Sequence, residues 1–230
     1  MILPPVVILC GGFGTRLRPL TDHRPKSLVE VAGKPFIYHQ LDLLKSQGIT
    51  DVVLCIGHLG HAIQGAVALG DKFGLNVRYS HDGPKPLGTA GAIRKALPLL
   101  DYKFFVLYGD VLVNENMIGW ENAILSFMAV YEKAGKGNVC VNPLNGRIRY
   151  NKAVRNCHYS DAGLMLLHAY DLSGSENDLA DILKRLSEAN LMGAAYIARP
   201  PLEIGSHQGL AETEAYLKGK QNDKETNSNH

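Results

Sequence analysis

Apolar and polar positions alternate in a regular way along the first half of the chain. Short runs rich in aliphatic and β-branched residues predict strands at 6–9, 52–56, 76–80 and 104–108. Between them, apolar residues at helical spacing predict helices at 36–48, 60–69 and 88–97. Strands that alternate with helices form βαβ units around a parallel sheet. The pattern therefore predicts an α/β fold.

The pattern of the second half is less regular. It predicts helices at 121–133, 179–189 and 208–217, and strands at 139–141, 148–150, 162–167 and 194–198. Residues 221–230 have no aliphatic or aromatic side chain and are predicted to be a disordered tail. Residues 1–220 are expected to form one domain, a three-layer α/β/α structure with a mainly parallel, mixed central sheet.

Composition excludes several functional classes. The formal net charge is only +2, so the chain is not a general polyanion binder and no nucleic-acid partner is expected. No apolar stretch approaches the roughly 20 residues of a membrane span, and residues 1–5 lack the features of a signal peptide. We therefore expect a cytoplasmic protein with no membrane partner.

The cysteines lie far apart in the sequence and form no C-x-x-C motif. Two of them end strand-like runs, which favours buried free thiols over disulfides or zinc ligands. This expectation covers Cys10, Cys55, Cys140 and Cys157.

The stretch 10–35, which directly follows the first predicted strand, carries the most informative motif. It combines three glycines with a dense set of cations, namely Gly11, Gly12 and Gly14 with Arg16, Arg18, Arg24 and Lys26. Backbone N–H groups and fixed cations are what a polyphosphate requires. The spacing is not that of a P-loop, and the third glycine of a dinucleotide fingerprint is missing. A nucleoside triphosphate (NTP) held in a long basic loop fits best.

These residues also carry a resemblance to a known family. The motif G-G-x-G-T-R-L-x-P-L-T-x-x-x-P-K-x-L resembles the signature of the sugar-1-phosphate nucleotidylyltransferases. Weaker similarity extends over about residues 5–218, through 87–90, 108–110 and 203–205, and the chain is most similar to short bacterial members that use mannose-type or heptose 1-phosphates. The resemblance implies a Rossmann-like nucleotidyltransferase fold. It also implies Mg²⁺-dependent transfer of a nucleoside monophosphate from an NTP, with GTP favoured, to a sugar 1-phosphate, releasing pyrophosphate.

The resemblance implies a role for individual residues. The expected catalytic residues are Arg16, Lys26 and Asp110. The expected nucleotide-binding residues are Leu9, Cys10, Gly11, Gly12, Gly14, Thr15, Gly88 and Thr89. The expected sugar-phosphate residues are Lys152, Asp161 and Gly163, and the expected ligands of Mg²⁺ are Asp110 and Glu203.

Some assignments have plain structural alternatives. From the residues alone, Asp110 could equally cap a helix or a turn, and Cys10 could be a packing thiol. Glu203 stands where relatives often have aspartate. Lys152 is selected by spacing although the flanking glutamate and proline of relatives are absent, and an exposed structural lysine fits equally.

The function also has alternatives. An enzyme that uses UTP or dTTP remains open within the class, as does a non-catalytic relative that binds a nucleotide sugar. A nicotinamide-dependent oxidoreductase is disfavoured by the incomplete fingerprint. Assembly into a homo-oligomer is left open by the sequence.

Overall fold

The computed structural model describes residues 3–227. The strands are, in chain order, β1 Val6–Leu9, β2 Glu30–Val31, β3 Lys34–Pro35, β4 Asp51–Ile56, β5 Asn76–His81, β6 Lys103–Tyr108, β7 Val111–Leu112, β8 Ser126–Gly137, β9 Val139–Val141, β10 Ile148–Tyr150, β11 Cys157–His168, β12 Met192–Tyr196 and β13 Leu202–Glu203. The α-helices are α1 Phe36–Ser46, α2 Gly60–Val67, α3 Gly88–Ala96, α4 Leu179–Glu188 and α5 His207–Asn227.

Nine of the described strands form one mixed sheet. Its continuous path runs β10-β9-β11-β6-β1-β4-β5, and β8 pairs with both β11 and β12. The strands β6, β1, β4 and β5 are parallel to one another, whereas β11 runs antiparallel to β6, β8 and β9. The first half of the chain therefore builds the parallel part predicted from its alternating elements, and the second half adds the antiparallel part.

Helices cover both faces of the sheet, which gives three layers. Alternate residues of a strand point to opposite faces, so Val6 and Ile8 of β1 pack in a core with α1 and α2. Val7 points the other way, into a core that contains residues of α3 and α4. The side chains of Val6, Val7 and Ile8 are all fully buried. The predicted single-domain α/β/α architecture with a mixed sheet is confirmed.

The helix predicted at 121–133 is wrong. The chain instead forms a short 3-10 turn at Trp120–Asn122 and then the twelve-residue strand β8. Phe127, Met128, Ala129 and Val130 are all buried because β8 lies between β11 and β12. A strand buried on both faces shows a continuous apolar run, whose periodicity does not separate it from a buried helix.

Two further expectations differ from the structure. Cys10 and Cys55 are buried free thiols as predicted, but Cys140 and Cys157 form a disulfide bond. Pairing of β9 with β11 brings these two cysteines together, with their Cα atoms 4.9 Å apart across a sequence separation of 17. Helix α5 continues to Asn227, so residues 221–227 are helical where composition predicts a disordered tail. Residues 228–230 lie outside the described residues.

The parallel strands determine where a ligand site can form. Loops that leave the carboxyl ends of parallel strands meet at one edge of the sheet. Here the segments after β1, β4, β5 and β6 meet there, and backbone hydrogen bonds tie them together: Cys10 N–H donates to Cys55 O at 2.8 Å and Asp82 N–H donates to Ile56 O at 2.9 Å. None of the helices in residues 3–227 is long and apolar enough to cross a membrane.

Candidate active site

A cavity of about 390 Å³ lies at the carboxyl edge of the parallel strands. Its lining includes every residue expected to bind the nucleotide and every residue expected to be catalytic: Leu9, Cys10, Gly11, Gly12, Gly14, Thr15, Arg16, Lys26, Gly88, Thr89 and Asp110. These positions come from three separate stretches of the sequence. The fold therefore brings them together in one cavity.

The segment between β1 and β2, residues 10–29, is the glycine-rich loop, and two of its four Arg and Lys side chains face the cavity. Arg16 and Lys26 line it. Arg18 instead pairs with Asp22 at 3.3 Å, and Arg24 pairs with Glu30 at 3.6 Å, both on the exposed surface. The loop is held by a hydrogen bond from the hydroxyl of the buried Thr21 to Gly14 O at 2.9 Å. The four cations of the loop therefore have two different roles. Arg16 and Lys26 face the cavity, whereas Arg18 and Arg24 are paired with surface carboxylates.

Lys26 and Asp110 form an ion pair inside the site. Lys26 Nζ donates to Asp110 Oδ2 at 2.6 Å, and the two side chains are 15% and 30% exposed. Asp110 directly follows Gly109 at the end of β6, and its backbone oxygen accepts a hydrogen bond from Ile204 N–H at 2.9 Å. The alternative in which Asp110 only caps a helix or a turn therefore has no support in its side-chain contacts, since its carboxylate binds a lysine of the glycine-rich loop.

The start of α3 forms another wall of the cavity. Gly88 has a φ of +74°, and a Cβ atom there would lie 2.3 Å from Asn177 O, so only glycine fits. The Thr89 hydroxyl donates to Asp178 Oδ1 at 3.1 Å and accepts from Leu179 N–H at 2.7 Å. These contacts fix the first turn of α3 against the start of α4.

Sequence reasoning missed several residues that line the cavity, namely Phe13, Ser27, Asp82, Pro86, Ala92, Tyr108 and Gly109. Ser27 directly follows Lys26, and its Oγ is buried without a hydrogen-bond partner among the described residues. No motif in the sequence pointed to Asp82, which follows a strand of mixed polarity.

Burial changes the acid–base behaviour of two groups in the cavity wall. Burial, with a smaller contribution from Cys55, raises the pKa of the Cys10 thiol far above its usual range. Burial together with the charges of Asp161 and other neighbouring groups raises the pKa of Tyr108 well above 10. Both side chains are therefore neutral at physiological pH, and Cys10 serves as a packing thiol that also lines the cavity.

The three residues expected to bind the sugar phosphate lie outside the lining of this cavity. Lys152 Nζ donates to Asp178 Oδ2 at 3.0 Å, and these side chains are 66% and 47% exposed. Burial raises the pKa of Asp161 to about 6, against the opposing effects of the Gly163 N–H and the charge of Lys152. Gly163 N–H donates to Asp161 Oδ1 at 2.7 Å. Gly163 packs against the cavity residue Tyr108, since a Cβ atom added to it would lie 3.0 Å from Tyr108 Cδ2. The binding role of the three residues stays a prediction.

The backbone of Glu203 lies next to that of Asp110, but the Glu203 carboxylate forms its hydrogen bonds elsewhere, with Gly205 and Ser206. Residue 203 pairs with Val111 between β13 and β7. The carboxylate accepts hydrogen bonds from Gly205 N–H and from Ser206 Oγ, the latter at 2.9 Å. Ser206 Oγ in turn accepts from Gly209 N–H at 3.0 Å, as an N-cap of α5 does. In this structure Glu203 therefore supports the start of α5.

The carboxylates at the cavity determine whether Mg²⁺ could bind there. Among residues 3–227, no group of three or more His, Cys, Asp or Glu side chains is placed to hold a metal ion. Mg²⁺ needs only one or two carboxylates when phosphate oxygens and waters complete its shell. Asp110 fits that role because it lines the cavity beside Arg16 and Lys26. Glu203 as the second ligand stays a prediction.

Comparison with solved structures defines the class of fold. HddC from Yersinia pseudotuberculosis, in a complex with GMP-PN, superposes with a TM-score of 0.80 at 22% identity, covering 94% of this chain and 100% of that chain. A putative glucose-1-phosphate thymidylyltransferase from Bacillus anthracis gives a TM-score of 0.80 at 20% identity, covering 93% and 95% of the two chains. The fold is therefore the Rossmann-like fold of the sugar-phosphate nucleotidyltransferases.

Sequence comparison then identifies the family. Residues 5–145 match the family model described as nucleotidyl transferase, and the chain belongs to this family. N-acetylmuramate alpha-1-phosphate uridylyltransferase from Neisseria meningitidis is 46% identical over 109 residues, which are 47% of each chain. Mannose-1-phosphate guanyltransferase from Gibberella zeae is 44% identical over 110 residues, which are 46% of this chain and 30% of that relative. The aligned part is thus less than half of either relative.

Proposed function

We propose that the protein transfers a nucleoside monophosphate from an NTP to a sugar 1-phosphate and releases pyrophosphate. The observation that carries this proposal is the cavity in which Arg16, Lys26 and Asp110 meet the glycine-rich loop. Two cations and a carboxylate beside the glycines of this loop suit a triphosphate with its metal ion. The membership of the nucleotidyl transferase family supports the same reaction class.

In the proposed reaction, an ionised sugar phosphate attacks the α-phosphate of the NTP. The nucleophile is already an anion at neutral pH, so catalysis depends on charge neutralisation and alignment rather than on a general base. Lys26 lies on the cavity wall next to Asp110 and would stabilise the negative charge that develops at the α-phosphate. Arg16 would bind the triphosphate and the departing pyrophosphate. Mg²⁺ held by Asp110, with Glu203 as the proposed second ligand, would supply further neutralisation of the phosphate oxygens.

Lys152, Asp161 and Gly163 are the proposed contacts of the sugar phosphate. The exposed Lys152 ammonium is available to a phosphate because its present partner, Asp178, holds it only through a surface ion pair. The Asp161 carboxyl, which accepts a hydrogen bond from Gly163 N–H, would also accept one from a sugar hydroxyl. Lys152 comes from the loop before β11, and the other two residues come from β11 itself. Strand β11 pairs with β6, and Asp110 follows β6 after one residue.

For the substrates, we favour GTP with a manno-configured hexose or heptose 1-phosphate. The relative from Gibberella zeae is named a mannose-1-phosphate guanyltransferase. A second candidate is a UTP- or dTTP-dependent enzyme that makes a different activated sugar. The relative from Neisseria meningitidis, named a uridylyltransferase, supports it at a similar identity.

A matrix of substrates tests these candidates. Pyrophosphate release is measured with GTP, UTP, dTTP, CTP and ATP, each with mannose, heptose, glucose and N-acetylmuramate 1-phosphates, in the presence of Mg²⁺ and then of a chelator. We expect the highest kcat/KM with GTP and a manno-configured acceptor, and loss of turnover with the chelator. Highest activity with UTP would select the second candidate. Absence of release in every combination, with thermal stabilisation by a nucleotide sugar, would identify a non-catalytic binding protein.

A further inference from the structure

The Cys140–Cys157 disulfide joins a position that faces solvent to a position inside the protein. Cys140 lies in the middle of β9 and is exposed, whereas Cys157, the first residue of β11, is 5% exposed. A thiolate from outside the protein can therefore approach the sulfur of Cys140, and the sulfur of Cys157 is then the leaving group. Exposed disulfides are the ones that exchange most readily with thiols. The bond is thus open to chemical attack at its Cys140 end.

The bond closes a loop that contains Lys152, one of the proposed contacts of the sugar phosphate. The loop includes β10 and the connecting residues 151–156, which we call the acceptor segment. At the β10 end of this segment, Asn151 N–H donates to Asn138 O at 3.1 Å. In the middle, the Lys152 side chain pairs with Asp178 on the exposed surface. At the β11 end, the disulfide supplies a covalent link to β9.

Strand pairing at the β11 end of the acceptor segment is irregular. Cys157 lies opposite Gly137 of β8, but the register of these two strands shifts between Cys157 and Tyr159. Between β9 and β11, Tyr159 is paired with Val139. A shift in register interrupts the ladder of backbone hydrogen bonds. The disulfide therefore holds the acceptor segment at a place where the sheet by itself holds it weakly.

We propose that Cys140–Cys157 is a site of thiol–disulfide exchange with a dithiol reductant, and that reduction loosens the acceptor segment. A cross-link limits the conformations open to the chain between its two ends, so breaking it increases the mobility of this segment. Because Lys152 lies there, binding of the sugar phosphate would weaken; this last step rests on the proposed function. The nucleotide cavity would keep its affinity, because the described residues that line it all lie outside 140–157.

The exchange proceeds in two steps. In the first, one thiolate of the reductant attacks Cys140 Sγ, forms a mixed disulfide with it and displaces Cys157 as a thiolate. In the second, the other thiol of the reductant, also as a thiolate, attacks the reductant sulfur of the mixed disulfide and displaces Cys140. The reductant leaves as a cyclic disulfide, and the two cysteine thiolates take up the two protons that its thiols released. Two electrons have then passed from the dithiol to the protein.

The other two cysteines do not compete in this exchange. Cys10 and Cys55 are buried, and burial raises the pKa of both thiols, so neither is an available thiolate at neutral pH. After treatment of the folded protein with dithiothreitol, peptide mass spectrometry should find the Cys140–Cys157 bond reduced. Iodoacetamide should then modify Cys140 and spare Cys10 and Cys55. Failure of dithiothreitol to reduce the bond in the folded protein would overturn the proposal.

Hydrogen exchange on the full chain tests the effect on the acceptor segment. We expect its amides to exchange about tenfold faster after treatment with dithiothreitol, and those of the glycine-rich loop to keep their rate. Cys140→Ser is the matched variant, because its position is exposed and the buried Cys157 stays in place. It should exchange at the rate of the reduced wild type, with and without the reductant. Equal exchange in the oxidised and reduced wild-type protein would contradict the proposal.

Kinetics connect the acceptor segment to the substrate. With the substrates that pyrophosphate release selects, we expect reduction to raise KM for the sugar 1-phosphate about threefold or more and to leave KM for the NTP unchanged, because a mobile segment must be ordered on binding. Cys140→Ser should show the raised KM in both conditions. Faster exchange with an unchanged KM for the sugar 1-phosphate would support the loosening and overturn its effect on the acceptor. If no substrate pair is turned over, the proposed function fails, and the hydrogen-exchange result alone decides whether reduction loosens the segment.

Discussion

Lys26 and Asp110 lie 84 residues apart in the sequence, yet Nζ of one lies 2.6 Å from Oδ2 of the other. The contact joins the glycine-rich loop to the end of β6. Each of the two groups neutralises the charge of the other. A triphosphate with its metal ion would offer both groups a new partner, since the lysine gains phosphate oxygens and the carboxylate gains a cation. In the proposed reaction, this ion pair would hold both groups in position before substrate arrives.

Replacement of Asp110 by asparagine should separate catalysis from stability. We expect Asp110→Asn to lower kcat/KM for pyrophosphate release at least a hundredfold, because an amide is a poor ligand for Mg²⁺ and does not hold the lysine charge. The lost ion pair is partly buried, so the free energy of unfolding should fall by about 1–2 kcal/mol and the melting temperature by a few degrees. The exposed Asp101→Asn is the control and should change neither quantity. Near wild-type turnover in Asp110→Asn would remove this residue from the site.

Replacement of Lys26 should affect the chemical step more than substrate binding. We expect Lys26→Met, which keeps the length of the side chain, to lower kcat by about a hundredfold with a small change in KM for the NTP. The reason is that a contact to the α-phosphate strengthens as charge develops in the transition state. Lys34→Met provides a matched control, since Lys34 pairs with Asp42 on the surface. An increase in KM at constant kcat would show that Lys26 only binds the ground state.

The Glu203 side chain has two candidate roles that variants can distinguish. Its carboxylate supports the start of α5 through Gly205 and Ser206, and it is also the proposed second ligand of Mg²⁺. Glu203→Gln should lower both turnover and the free energy of unfolding, the latter by about 1 kcal/mol. Glu203→Asp should keep measurable turnover, because it retains a carboxylate.

Ser206→Ala supplies the control for Glu203. It removes the N-cap hydroxyl of α5 but leaves the Glu203 carboxylate in place, so it should destabilise the protein by about 1 kcal/mol and keep turnover near wild type. Thermal melts and initial rates on the three variants give both quantities. If Ser206→Ala loses as much turnover as Glu203→Gln, then Glu203 acts by positioning α5 and the metal role is wrong.

Lys152 should affect only the acceptor substrate. We expect Lys152→Ala to raise KM for the sugar 1-phosphate about tenfold or more and to leave KM for the NTP nearly unchanged. The ion pair with Asp178 is exposed, so the melting temperature should not move measurably. Lys184→Ala, which breaks the exposed pair with Glu188 on α4, is the control. Wild-type constants for both substrates in Lys152→Ala would show that spacing selected the wrong lysine.

Local patterns predicted the parallel half of the fold because each of its elements is short and separately periodic. The strands β1, β4, β5 and β6 and the helices between them lie within a few residues of their predicted bounds. The long strand β8 was missed because burial on both faces removes the alternation that marks a strand. The Cys140–Cys157 disulfide was missed because only the pairing of β9 with β11 brings these residues together.

In the candidate site, too, the sequence predicts the residues that lie in local motifs and misses those that only the fold brings to the cavity. The glycine-rich loop, the start of α3 and Asp110 carry local signals, and all of them line the cavity. Asp82 and Ser27 carry none, because their proximity to the cavity depends on the order of strands and not on a motif. Residue 203 pairs with Val111, which follows Asp110, and its role as a metal ligand stays a prediction. No motif in the sequence indicates that its carboxylate binds the start of α5.

Asp161 should make stability depend on pH in a defined window. Burial raises its pKa in the folded protein to about 6 from 3.8, so the folded state disfavours the ionised form. Between pH 4 and 6 the unfolded chain has released this proton while the folded protein still holds it. The contribution of Asp161 to stability is therefore full below pH 4 and is lost as pH rises through about 6.

Asp161→Asn removes this titration without removing the hydrogen bond, because the amide oxygen can still accept from Gly163 N–H. The other titrating groups contribute equally to the free energy of unfolding of the variant and of the wild type. Their contributions therefore cancel when the two free energies are subtracted. We expect this difference to shift in favour of the variant by a few kcal/mol at most between pH 4 and 7, since one pKa unit corresponds to about 1.4 kcal/mol. Urea denaturation of both proteins at half-unit steps of pH measures it. A difference that stays constant across that range would mean that the Asp161 carboxyl titrates alike in the folded and unfolded protein, and that burial by β11 and its neighbours does not shift it.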